Sequence, residues 1–290
     1  LFDRNMESPE QVKQLTSDLQ AQSNEKVLLF IGIDEEGGDV VRMAEKLTPP
    51  PSQKEIGATG DIEQAKTWAI KTAKSLKDMG INVNFAPVAD VGSNDKRSYS
   101  TDANTVIDFV RAATEGYQQE NIIYSLKHFP GIGKGRVDSH VDSSSIDVAK
   151  EVLMTEDIIP FKTIIDENEP NDYFILVSHL KYPALDEEYP ASLSSKIMTD
   201  LLRNELGYKG IIITDDMEMG AVANHNDFRS IGVKSVKAGA DIVLVCHEYE
   251  HQQEVYLGLL DAVNSGEISQ ERIDESVKRI IKVKLLQLYQ

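Results

Sequence analysis

Short apolar runs alternate along the chain with longer segments whose apolar positions recur every three or four residues, from one end to the other. The first pattern marks strands and the second helices, and their regular alternation is that of βαβ units building a parallel sheet. The runs 27–33, 83–88, 122–127, 173–178, 211–215 and 242–246, mostly rich in β-branched or aromatic residues, predict six strands. Between them the helices are announced by their caps. Ser8, Pro9 and Gln11 occupy the N-cap, first and third positions of a helix with Val12, Leu15 and Leu19 on one face. Asp61 and Gln64 predict a second capping box, ahead of Ala65, Ala69, Ala73 and Leu76, with Gly80 as the left-handed stop. Val106, Phe109, Val110, Ala113 and Tyr117 line a third helix; a fourth spans 194–206 and closes at Gly207. The last carries Ile273, Val277, Ile280, Ile281 and Leu285. No repeat, linker or low-complexity stretch interrupts the series, so residues 1–290 read as a single domain.

Such a series fits either a TIM barrel of eight strands or an open doubly wound sheet. Polar residues decide for the barrel. No Gly-x-Gly-x-x-Gly turn follows an early strand, whereas Asp34, Asp90, Lys127-His128, His179, Asp215 and His247 each follow a strand, and barrels gather their chemistry at strand C-termini. The 290 residues suit one such barrel. A net charge of −18 repels phosphates and anionic membrane surfaces, which sets nucleic acid aside as a partner. No apolar stretch approaches the ~20 residues of a membrane span. The single cysteine, Cys246, sits in an apolar run and reads as a buried thiol; with no disulfide possible, the compartment stays open between cytoplasmic and exported.

Three clusters could carry chemistry. The segment Lys127-His-Phe-Pro-Gly-Ile-Gly-Lys-Gly-Arg-Val-Asp-Ser-His140 leaves a strand through glycines and a proline, so it is a loop. Within it Asp138 and His140 are spaced so that a carboxylate can orient an imidazole, although a solvated loop would read the same way. In the second cluster, Gly210-Ile-Ile-Ile-Thr-Asp-Asp-Met-Glu-Met-Gly220, strand alternation sends one of Asp215 and Asp216 into a barrel mouth and the other elsewhere. The third, Asp34-Glu35-Glu36-Gly37-Gly38, puts three carboxylates after a strand with Arg42 nearby, where they could hold a metal or hydrogen-bond sugar hydroxyls.

With the helix Arg272-Ile-Asp-Glu-Ser-Val-Lys-Arg-Ile280, these segments resemble glycoside hydrolase family 3, and more closely its single-domain β-N-acetylglucosaminidase branch. The four segments in order cover nearly the whole chain. The Asp-Ser-His loop is the most specific, because that branch uses a histidine where relatives use a carboxylic acid. The resemblance implies an α/β fold of the TIM (β/α)8 type and a retaining hydrolase, free of metal and cofactor. Such an enzyme removes terminal N-acetyl-β-glucosamine from peptidoglycan fragments or small chito-oligosaccharides through a covalent glycosyl intermediate. It implies Asp215 as nucleophile, His140 as general acid and then base with Asp138 orienting it, and Asp34, Arg42, Arg97, Lys127 and His128 as sugar-binding residues. His179, directly after a strand, is a further candidate for lining the sugar site. A histidine is neutral as a base and cationic as an acid, so it can cycle beside a carboxylate that would repel a second anion. Lys127 and Arg42 are expected to keep Asp215 ionised, and Lys127, Lys134, Arg136 and Arg42 to make the mouth basic.

The chain departs from the family pattern in three places. Ile132 replaces a loop histidine and Lys134 an aspartate, Asp39 stands where an arginine is common, and the segment 1–5 looks like the tail of a strand. The last point predicts a barrel lacking its first strand and most of its second, either a truncated fragment or one whose open edges are paired by another chain in an oligomer. Other readings are a phosphorylase variant, a Schiff-base lyase using Lys127, and a sugar-binding or scaffold protein without turnover. His225 and His247 read as surface or loop residues, His251 as part of a polar helix face, and Trp68 as packing.

Overall fold

A computed structural model describes residues 1–23, 27–43, 47–92, 96–135, 145–224 and 227–289. Its strands are β1 (Gly32–Ile33), β2 (Val83–Asn84), β3 (Ile123–Phe129), β4 (Tyr173–Val177), β5 (Lys181–Tyr182), β6 (Asp186–Pro190), β7 (Ile211–Asp216) and β8 (Ile242–Leu244). Each of the six expected runs overlaps one of the strands of a parallel sheet ordered β1-β2-β3-β4-β7-β8. The sheet curls, helices cover its outer side, and β1 and β8 are its edges: an α/β architecture of the TIM-barrel type lacking strands. The antiparallel pair β5–β6 was not expected, because Asp186-Glu187-Glu188 offers no apolar alternation.

Period-two alternation sorts the strand residues into two cores. Val83, Ile123, Phe174, Leu176, Ile211 and Ile213 point to the inner face and form one cluster. Their neighbours Tyr124, Leu126, Tyr173, Ile175, Val177 and Ile212 turn outward into the larger core shared with the helices. The inner rows run on past the apolar layer into polar residues: Ile123, Ser125, Lys127 on β3 and Ile211, Ile213, Asp215 on β7. The alternation that builds the core thereby aims ionisable groups at the C-terminal mouth.

The helices start largely where the caps placed them. Ser8 Oγ accepts the Gln11 amide at 3.1 Å ahead of the Pro9–Gln22 helix. Asp61 caps the Ile62–Asp78 helix through the Glu63 amide, at 3.2 Å, rather than by a box with Gln64. A full capping box forms instead between Ser52 and Glu55. Gly80 takes φ 74°, ending its helix as expected, and packs so tightly on Thr16 that a Cβ would stand 2.4 Å from Thr16 Oγ1. The fourth predicted helix forms as Lys196–Glu205 with π-helical spacing. The last, Gln270–Gln287, splits its predicted stripe: Ile273 and Ile280 pack inward with Val283, while Val277 and Leu285 face solvent. The segment 1–5 is not a strand tail. Asp3–Asn5 is a 3-10 turn in which Asn5 Oδ1 accepts the Phe2 amide at 2.9 Å. This segment reaches both sheet edges at the mouth, Leu1 N donating to Gly32 O at 2.6 Å and Arg4 Nη2 to Cys246 O at 2.8 Å.

Candidate active site

A cavity of about 530 Å³ opens at the C-terminal ends of the parallel strands, a size within the ~300–1,000 Å³ of small-ligand sites. Its deeper wall is the apolar inner face, including Phe85, Phe174, Ile213 and Leu244, and its upper wall is polar. The chain leaving β1 turns at Gly37, whose φ of 109° suits glycine and where a Cβ would stand 2.3 Å from Pro51 O. The three acids before that turn therefore diverge.

Asp34 and Glu36 share one cation. Lys127 Nζ lies 2.7 Å from Asp34 Oδ1 and 2.6 Å from Glu36 Oε1. Arg97 grips Glu36 with two parallel hydrogen bonds of 2.7 and 2.9 Å, a fork that a guanidinium forms and an ammonium cannot. Arg42 reaches Asp34 Oδ2 at 3.2 Å and Asp3 at 3.7 Å. Burial, the largest single influence, would push both carboxyls up, but Lys127 together with Arg42 at Asp34 and Arg97 at Glu36 outweighs it, holding Asp34 below and Glu36 well below the usual range. Burial likewise disfavours the Lys127 ammonium, yet Asp34 and Glu36 more than offset it and its pKa rises. Glu35 turns away, its Oε2 accepting the Arg42 amide at 2.9 Å, and burial lifts it to about 6. Among the described residues no three Asp, Glu, His or Cys side chains are grouped so as to hold a metal ion.

The cavity histidines are held on both sides. His128 Nδ1 faces Asp90 Oδ2 at 2.8 Å and its Nε2 faces Arg97 Nη2 at 2.9 Å. Arginine only donates, so His128 accepts at Nε2 and donates from Nδ1. His179, kept neutral by burial despite the nearby Asp215 charge, donates from Nε2 to the Asp216 carbonyl at 2.8 Å and meets Ser192 Oγ at 2.7 Å. His247 also lines the cavity: Nδ1 accepts from Arg4 Nη1 at 3.0 Å and Nε2 lies 3.1 Å from Asp216 Oδ2. It is part of the site wall rather than a detached surface residue.

Asp215 and Asp216 both face the cavity, contrary to strict alternation. The β7–β8 register slips between Ile213 and Asp216, and such an irregularity redirects a side chain. Asp215 Oδ1 accepts the Asp216 amide at 2.9 Å. Asp216 accepts the amides of Glu218 and Cys246, each at 3.2 Å. Among the described residues no lysine or arginine forms an ion pair with Asp215; Lys127 pairs with Asp34 and Glu36, and Arg42 with Asp34 and Asp3.

Of the cations expected at the mouth, Lys127 and Arg42 line the cavity. Lys134 does not line the cavity; its Nζ pairs with buried Asp157 at 2.5 Å and with Glu156 at 3.0 Å. Those two carboxyls take its charge. Cys246 is half-buried and lines the cavity rather than sitting in the core, with its thiol pushed up by burial and by Asp216. His251 bonds Glu218 at 2.7 Å and stacks on Phe228 at 3.8 Å, so its helix face is not simply solvated. Trp68 packs against the main core with Lys71 over its ring, as a packing residue should. Asp138 and His140, together with Arg136 and His225, lie outside the described residues. The structure thus brings Asp34, Arg42, Arg97, Lys127, His128, His179 and Asp215 around one cavity. It adds Glu36, Asp216 and His247 to its walls and Asp90 behind His128; only position, directly after a strand or inside a carboxylate run, could have singled these out.

The family model of the glycosyl hydrolase family 3 N-terminal domain matches residues 1–283. The chain is 34% identical to a β-hexosaminidase A of Pseudoalteromonas piscicida over 98% of its own length and 52% of that protein's. It is 30% identical to a β-hexosaminidase of Nitrosomonas eutropha, covering 96% of itself and 82% of that protein. It superposes with a TM-score of 0.94 and 37% identity on the solved glycoside hydrolase family 3 β-N-acetylglucosaminidase from Paenibacillus sp. str. FPU-7, covering 99% of this chain and 56% of that one. It therefore spans about half the length of the Pseudoalteromonas and Paenibacillus proteins. With that match and a cavity walled by the residues the sequence singled out, the chain belongs to glycosyl hydrolase family 3, by way of the family's N-terminal domain.

Proposed function

We propose that residues 1–290 act as one catalytic domain that hydrolyses terminal N-acetyl-β-glucosaminides with retention. The observation that carries this reading is the contrast among the carboxylates of the cavity: among the described residues Asp34 and Glu36 are bound to cations, whereas Asp215, at the end of β7, is not. A carboxylate free of such partners keeps its lone pairs for a reacting carbon. In this reading Asp215 attacks the anomeric carbon while His140 gives a proton to the leaving oxygen. His140 then takes a proton from the water that displaces Asp215, with Asp138 fixing its tautomer. His128, His179 and His247 each have both ring nitrogens occupied, which supports an acid/base outside the described residues. Asp34, Arg42, Arg97, Lys127 and His128 would hold the sugar.

The lyase reading loses ground on the same page. A Schiff-base lysine needs a depressed pKa, and Lys127 is an ammonium stabilised by two carboxylates. Turnover of an aryl N-acetyl-β-glucosaminide tests the proposal. Asp215→Asn and His140→Ala should each lose about 10³-fold or more in kcat with unchanged folding, the first product should be the β-anomer, and phosphate buffer should yield no sugar phosphate. Binding of N-acetylglucosamine with no turnover by the intact chain would leave a sugar-binding module in its place.

A further inference from the structure

The geometry points to selection by charge at this cavity: it takes glycosides whose aglycone is uncharged or cationic, such as oligomers of N-acetylglucosamine and their partly deacetylated forms. It disfavours aglycones with a carboxylate beside the scissile bond. The inference rests on the hydrolytic reading and concerns the mouth of the same site. Among the described residues five carboxylates face the cavity, those of Asp34, Glu36, Asp39, Asp215 and Asp216, against three permanently cationic side chains, Arg42, Arg97 and Lys127. Each of the three is committed to a protein carboxylate, Lys127 to Asp34 and Glu36, Arg97 to Glu36, and Arg42 to Asp34 and Asp3. A ligand carboxylate could reach one of them only by displacing a carboxylate already bound.

Among the described residues the rim carboxylates are only loosely paired. Asp39 is 72% exposed there, and Lys96, its partner at 3.2 Å, is itself 59% exposed and does not line the cavity. So exposed a pair is loosely held. Asp216 adds a second carboxylate, held by His247. Lys134, which could have supplied a balancing charge on this side, is drawn off to Asp157 and Glu156. Arg4, bound to the Cys246 carbonyl at 2.8 Å and to His247 at 3.0 Å, stands beside the cavity without lining it, so among the described residues the cavity walls keep their excess of carboxylates, and the −18 net charge of the chain adds a repulsive field at longer range. At several Å across water one like charge costs roughly a factor of three, and salt screens such rim charges over ~8–10 Å.

The test compares three disaccharides with the same N-acetylglucosaminyl donor: N,N′-diacetylchitobiose, its analogue with a lactyl carboxylate on the reducing-end sugar, and the amide of that carboxylate. At low ionic strength kcat/KM should favour chitobiose over the acid by about 10-fold, with the amide close to chitobiose. The preference should shrink in 0.5 M salt, fall about 3-fold in Asp39→Asn, and fall further in Asp39→Lys. Equal or faster cleavage of the acid, an amide as poor as the acid, or a ratio that neither salt nor Asp39→Lys moves would overturn it. If the chain binds these sugars without cleaving them, dissociation constants for the same three compounds give the same ratio, so charge selection stands or falls apart from hydrolysis.

Discussion

The two ends of the parallel sheet carry opposite charge arrangements. At the mouth, carboxylates outnumber cations around an open cavity, and each cation is spread over more than one acceptor. At the base, just ahead of β8, a single fully buried carboxylate, Asp241, faces three arginines: Arg203, Arg279 at 3.0 Å and Arg272 at 3.9 Å. Asp241 also accepts Ser276 Oγ at 2.6 Å and the Ile212 amide at 2.9 Å. That knot ties β7, β8 and the Gln270–Gln287 helix together and leaves the carboxylate no room for a ligand. Among the described residues the mouth keeps its groups in fixed places without saturating them all, and Asp215 forms no ion pair with a lysine or arginine. Burial and ion pairing are common to both ends; surplus carboxylate beside empty volume belongs to one. The difference separates a site from a fastening better than any single residue does.

The largest expected effect breaks the base. Asp241→Ala leaves three arginines without their shared partner and should cost about 3–5 kcal/mol of stability, read by chemical denaturation, while turnover of the protein still folded stays near normal. A loss under about 1 kcal/mol would show the knot to be ornamental and erase the contrast. Lys127→Met tests the mouth. Because Arg42 and Arg97 still hold Asp34 and Glu36, stability should fall less, by about 2 kcal/mol, while kcat/KM drops about 10²-fold as the sugar-binding floor relaxes. Equal effects on stability at the two ends would sink the distinction.

The smallest effect sharpens it through pH. A carboxyl whose folded pKa stands above its unfolded value stabilises the fold below the unfolded value and loses that contribution as pH rises through the folded one. For Glu35 this runs from 4.5 to about 6. Asp34 and Glu36, shifted down chiefly by Lys127 against their burial, act in the opposite sense and lose their contribution in acid. Glu35→Gln should therefore leave stability unchanged near pH 4, raise it by about 1–2 kcal/mol at pH 7, and flatten the curve between. An unchanged difference across that range would mean that burial of Glu35 carries no such cost.

Much of the fold was legible because local and tertiary preferences agree. The β-branched runs became the sheet in the expected positions, Ser8 and Asp61 cap where they stand, and Gly80 ends its helix in the conformation its lack of a Cβ allows. The β5–β6 pair and the 3-10 turn at Asp3–Asn5 were not legible, since tertiary contacts rather than apolar periodicity hold them. At the site, residue types and positions after strands found the polar wall, but pairing is a property of three dimensions. Lys134 looks like a mouth cation until Asp157 is seen behind it, Lys127 looks like a partner for Asp215 until Asp34 and Glu36 take it, and the register slip that lets Asp215 and Asp216 face one cavity leaves no mark in the sequence.

The doubly bonded histidines carry a consequence of their own. An imidazole whose two nitrogens are both engaged is a spacer of set orientation, and His128, His179 and His247 make the cavity wall an insulator for protons. Ligand entry then leaves these rings in their resting tautomers, so calorimetric heats of binding measured in buffers of different ionisation enthalpy owe nothing to them. Proton traffic that accompanies a reaction here would then run through groups other than these three rings, which is how a wall crowded with ionisable groups can still do one thing at a time.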